Sequence, residues 1–156
     1  KDEFWQVHTD LKGRFVCQWP VGWEVDVKKE DPHSKVSFSC PAGEIKIITR
    51  DARYYILDES DRKEMVTVQK RVVETLREMG QKARLIGVEW ITLGVVKALK
   101  AEFEAVQPEC LWAKQMKFKR DGWDHTVTLI VKSPDRREEL EDLFDEFLRR
   151  YRSIPK

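Results

Sequence analysis

The chain has 156 residues, a length that suits one domain, and folding would bury roughly 70% of its surface, enough for one substantial core. Charged residues make up 37% and hydrophobic ones 41%, with six Trp and seven Phe, which excludes a disordered charged tail. Twenty-nine basic groups against 28 acidic ones, with no polybasic block, argue against a nucleic-acid partner, and apolar runs as short as Leu129-Ile130-Val131 cannot span a bilayer.

Residues 4–9 and 14–19 read as two short strands around Lys12-Gly13, and Pro20 ends the second because it cannot donate to a ladder. A turn over 20–23 follows, then Trp23, Val25 and Val27 alternate with Glu24 and Asp26. The segment 31–34 reads as a loop that exposes His33. Strands over 35–40 and 44–49 flank Pro41-Ala42-Gly43, a hairpin signature. Asp61 with Glu64 forms a capping box, Gly80 suits a helix end, and Met65, Val68, Val72, Leu76 and Met79 make one stripe between them. A helix is therefore expected over 61–80.

A weaker strand over 84–91, closing at Gly94, precedes three clear ones. In 99–105 the odd positions are apolar and the even ones charged. In 112–119, Trp112, Met116 and Phe118 lie opposite Gln115, Lys117 and Lys119; in 123–131, Trp123, Val127, Leu129 and Val131 lie opposite Asp124, Thr126 and Thr128. Asp121-Gly122 is a strong hairpin turn. The expected meander has one buried and one solvated face, with Lys100, Glu102 and Glu104 laddered against Lys117 and Lys119. Ser133, Pro134 and Asp135 mark the start of a closing helix whose stripe runs Leu140, Leu143, Phe144, Phe147, Leu148 and Tyr151. The fold class is α+β, an antiparallel sheet of six or seven strands packed with two main helices, in one domain over 1–156 with its core over 4–154.

Chemistry is sparse. His8, His33 and His125 fall in separate segments with no metal-ligand spacing, so no metal or cofactor is expected. There is no nucleophile elbow and no phosphate-binding glycine loop. His125 falls on the apolar face of its strand, the place of a hydrogen-bonded core histidine. Lys114, Lys117, Lys119 and Arg120 lie near Trp112, Phe118 and Trp123, yet alternation sets aromatics and lysines on opposite faces, which no stacking platform tolerates. Cys17 and Cys40 end up on the apolar faces of their strands; they either meet across adjacent strands as a disulfide or pack as small hydrophobes. The chain opens Lys1-Asp2-Glu3 without Met, as a mature or trimmed form would.

Phe15, Trp19-Pro20, Gly22-Trp23 and Asp31-Pro32, followed by a hairpin, resemble the opening of the PsbP-like superfamily, and the element order is similar through Ser153-Ile154. The resemblance implies an α/β/α sandwich and a small accessory domain that binds another macromolecule, often exported or lipid-anchored in bacteria. The expectation is a non-enzymatic, monomeric protein-binding domain in an extracytoplasmic setting, with an unidentified protein partner. Trp23, His33, Arg120 and Trp123 are the candidate partner contacts, because exposed Trp beside Arg anchors interfaces. Two rivals stand beside it. One is a cytosolic adaptor of the GTPase-binding type with all thiols free; the other is a hydrolase joining His125 to a carboxylate of raised pKa.

Overall fold

The computed structural model describes residues 4–30, 33–51, 82–107 and 111–155. The helix expected over 61–80 and the third cysteine, Cys110, lie outside the described residues. The described strands are β1 (Trp5–Thr9), β2 (Phe15–Pro20), β3 (Glu24–Glu30), β4 (His33–Cys40), β5 (Gly43–Asp51), β6 (Lys82–Leu93), β7 (Val96–Gln107), β8 (Leu111–Arg120), β9 (Trp123–Val131) and the two-residue β10 (Arg152–Ser153). A 3-10 turn (Pro134–Arg136) leads into helix α1 (Arg137–Arg150).

The strands form two antiparallel sheets rather than one. Seven run in the order β3-β4-β5-β9-β8-β7-β6, and β1-β2-β10 make a separate sheet of three. The α+β class stands, with antiparallel sheets and α1 as the described helix. Local chemistry sets the hairpins. Asp121 (φ 55) and Gly122 (φ 82) both adopt the left-handed region that a tight turn between β8 and β9 requires. The loop expected over 31–34 is shorter than the composition suggests, because His33 already pairs with Glu30. The closing helix also starts differently. Ser133 makes no side-chain cap bond; its carbonyl accepts from Arg136 N–H, closing the tight turn before α1.

The main core lies between the seven-stranded sheet and α1. Strand alternation points Phe38, Ile45, Ile47, Val127 and Leu129 to this side, and α1 answers with Leu140, Phe144, Phe147 and Leu148. Phe144 and Phe147 are wholly buried, each contributing on the order of 2–3 kcal/mol. Phe15 and Cys17 of the smaller sheet close the same core. A second cluster, Ala101, Phe103, Ala105, Leu111, Ala113 and Ile130, occupies the other sheet face.

That second cluster overturns the expectation of a solvated face. Residues 111–118 of β8 are buried on both sides. The expected charge ladder fails for a reason of register: Glu102 stands opposite Lys114 and Lys100 opposite Met116, whereas Lys117 stands opposite Leu99. Directly opposed residues share a face, so Lys117 lies on the side away from Lys100 and Glu102. There its amine meets Asp124 Oδ2 at 3.0 Å and Thr126 Oγ1 at 2.9 Å. Lys114, by contrast, shares the face of Trp112 and Phe118 and reaches towards α1. Cys17 and Cys40 are both free: β2 and β4 belong to different sheets, so the adjacent-strand geometry a disulfide needed is missing.

Candidate functional site

A cleft of about 490 Å³ opens between the β6–β7 hairpin, the outer part of β8, and the last turn of α1 with the residues that follow it. Period two along β8 aims Lys114, Met116, Phe118 and Arg120 into it, a row spanning about 20 Å at ~3.3 Å per residue. Register brings Ala98 opposite both Phe118 and Ile91, and Val96 opposite Leu93, so the floor is apolar. Lys100, Asp145, Arg149, Arg152 and Ser153 stand around it.

Behind the floor lies His125, fully buried and stacked on Phe118 with ring centroids 4.9 Å apart. Its Nδ1 lies 2.6 Å from the Tyr151 hydroxyl and its Nε2 3.1 Å from Ser153 Oγ. Ser153 Oγ donates to the Arg120 carbonyl at 3.4 Å. That last bond assigns the tautomer: Ser153 accepts from Nε2–H, so Nδ1 accepts from Tyr151 O–H. Every polar atom of the neutral imidazole is thus used. Burial lowers the His125 pKa to about 4, with the Arg120 carbonyl and Asp121 pulling the other way. Burial also pushes the Tyr151 hydroxyl well above its ordinary value.

A hydrolase would need that imidazole beside an acid. The adjacent Asp124 does have a raised pKa, through burial that outweighs Lys117. Consecutive strand residues point to opposite faces, however, and Asp124 sits across the sheet from the imidazole with Lys117. Among the described residues no group of His, Cys, Asp or Glu could hold a metal ion.

Of the residues nominated as partner contacts, Arg120 and Trp123 stand directly opposite each other across the β8–β9 hairpin. Trp23 is half-buried and packs on the main core behind the 20–23 turn. His33 opens β4. Arg120 is exposed and stands at one end of the cleft. Trp123 follows it by three residues yet is engaged elsewhere: its Nε1 donates to the Ile154 carbonyl at 3.0 Å, and the Arg14 guanidinium lies 4.5 Å over its ring. Sequence reasoning missed Arg152 and the β6–β7 floor. Strand alternation alone could have put Lys114, Met116, Phe118 and Arg120 in one row.

Two solved structures share this architecture. Cyanobacterial PsbP (CyanoP) from Synechocystis superposes with a TM-score of 0.71 at 18% identity, covering 96% of this chain and 92% of its own. This chain has the PsbP-like/Mog1 fold. The Ran-binding protein Mog1p of Saccharomyces cerevisiae superposes with a TM-score of 0.63 at 13% identity, covering 97% of this chain and 96% of its own. No sequence-family profile and no curated protein matches the chain. At such identities the likeness concerns the PsbP-like/Mog1 fold itself. Among the described residues no helix is long and apolar enough to cross a membrane.

Proposed function

We propose that this chain is a non-catalytic accessory domain that acts by protein–protein contact in an extracytoplasmic setting, periplasmic or lipid-anchored. The observation that carries the contact reading is an exposed apolar corner on the smaller sheet. Val21 N–H donates to the Phe4 carbonyl at 2.9 Å, which brings the two backbones together. Phe4 is 52% exposed, Val21 49%, and Val7 on the same hairpin 67%. Several large apolar side chains left exposed on one hairpin favour a partner over water. The Ran-binding protein with the same fold supports protein contact as the mode of action. The enzymatic rival loses support because His125 is sealed from solvent and both its ring nitrogens are engaged by Tyr151 and Ser153. The cytosolic-adaptor rival draws on the free thiols of Cys17 and Cys40, which suit a reducing compartment.

The test places a photo-crosslinking amino acid at position 21 in cells of the source organism. A discrete protein adduct that disappears with Val7→Asp is expected. Absence of any adduct, or turnover of ester or phosphoester substrates that is lost in His125→Phe, would overturn the reading. Fractionation of the crosslinked cells assigns the setting: adducts in the cytosolic fraction favour the adaptor.

A further inference from the structure

The two ends of the cleft differ in how their charges are answered. At one end Lys100 lies 3.2 Å from Glu89 and 3.6 Å from Glu102, and Lys114 lies 3.9 Å from Glu141 and 3.8 Å from Asp145. Arg149 is paired to Glu146 at 2.7 Å. At the opposite end stand Arg120 and Arg152, on either side of Ser153. Arg152 Nη1 donates to the carbonyls of Arg149 (2.6 Å) and Tyr151 (2.9 Å), bonds that orient the guanidinium without neutralising it. Among the described residues no carboxylate lies within ion-pair distance of Arg152, and Arg120 meets only Asp121, at 3.8 Å. Positive charge therefore accumulates at one mouth of a trough whose floor is Ile91, Leu93, Val96, Met116 and Phe118.

We propose that the cleft binds a single elongated organic anion, an apolar body with one carboxylate-like head. The body lies along Met116 and Phe118, and the head sits between Arg120 and Arg152, where two guanidinium forks offer donors in the plane an oxyanion accepts. The volume lies within the ordinary range for small-molecule sites. A bare inorganic anion would leave the floor wet, and a neutral chain would leave the guanidiniums unanswered. This ligand site is separate from the Phe4–Val21 corner and stands or falls without it.

The test is calorimetric titration of the whole chain with decanoate, run beside decanol and butyrate. Saturable one-to-one decanoate binding is expected, with decanol and butyrate at least tenfold weaker and affinity falling as salt rises. Arg120→Gln alone, which leaves the bonds from Arg152 to the Arg149 and Tyr151 carbonyls intact, should weaken decanoate binding severalfold with the melting temperature held, and the double substitution with Arg152→Gln should bring the loss to at least tenfold. Leu93→Asp, which puts a negative charge on the floor, should weaken it by a separate route. Equal affinity for decanol, indifference to the double substitution, or no saturable decanoate binding would each overturn the proposal. So would displacement by acidic peptides but not by fatty anions, or binding only to anionic vesicles, because a groove for a chain or a membrane would then be in hand.

Discussion

The Tyr151 hydroxyl and His125 Nδ1 stand 2.6 Å apart inside the core, and the tautomer makes the tyrosine the donor. The imidazole is thus held neutral, with a pKa lowered by burial to about 4 against an ordinary 6.5. Above pH 6.5 neither folded nor unfolded chain protonates this group. Between 6.5 and 4 the unfolded chain takes up a proton that the folded one refuses, so stability falls on acidification, by about 3 kcal/mol in full. His8, lowered by burial, acts in the same sense, discounted for its exposure. Asp124, raised by burial, acts oppositely: its charged form is a cost above its unfolded value of 3.8 that acid relieves. Urea unfolding at pH 7.5, 5.5 and 4.5 should give a falling series for the native chain. In His125→Phe, less stable throughout because two hydroxyls lose their partner, most of the slope should vanish.

Gly43 lies where β5 passes under α1. A Cβ there would meet the Ile130 carbonyl oxygen at 2.4 Å and Leu140 Cδ1 at 3.1 Å, and backbone cannot step aside. Gly43→Ala should cost about 3 kcal/mol, a drop of about 10 °C in melting temperature. Gly87→Ala is the control, since nothing lies within 4 Å of its added carbon; it should fall within about 0.5 kcal/mol of the native chain.

Lys117 and Asp124 form a buried ion pair 3.0 Å long, with side chains only 8% and 1% exposed. Lys117→Met removes the one cation hydrogen-bonded among the described residues to a buried carboxylate whose Oδ1 lacks a partner, and should cost about 3 kcal/mol, with Arg50 and Lys119 opposite Asp124 limiting the loss. Asp124→Leu added to it should restore most of that loss, because two charges then leave the interior together. Chemical denaturation of the four chains of the cycle measures the coupling; an additive result would show that the pair contributes nothing specific.

The thiols should separate by reactivity. Cys17 is fully buried, and burial pushes its pKa far up; Cys40 is half-buried at the end of β4. In a Cys110→Ser background, a thiol reagent should label Cys40 at least about tenfold faster than Cys17, and both should label after denaturation without reductant. A native mass short by two hydrogen atoms would place a bond between them after all.

Much of this was legible in the sequence because local chemistry decided it. Asp121-Gly122, Pro41-Ala42-Gly43 and the Leu140-to-Tyr151 stripe each carry their own geometry, and period two alone put His125 in the core. What escaped depends on distant segments. Nothing in residues 4–20 announces that β1 and β2 leave the larger sheet to pair with β10. Lys117 reads as a solvated lysine until register sets Asp124 beside it, and the cleft exists only because the β6–β7 hairpin and Ser153 arrive at β8 from opposite ends of the fold. Of the four nominated contacts, Trp123 looked available because a sequence cannot show Ile154 and Arg14 occupying it.

The short run after α1 acts as a clasp. Arg152 and Ser153 pair with β2, Ile154 N–H donates to the Arg14 carbonyl, the Ile154 carbonyl holds Trp123, and Arg14 Nη1 donates to the Thr49 carbonyl. Synthesis delivers this run after every strand it fastens. On the ribosome the two sheets therefore stay unlatched until residues 152–154 emerge from the exit tunnel.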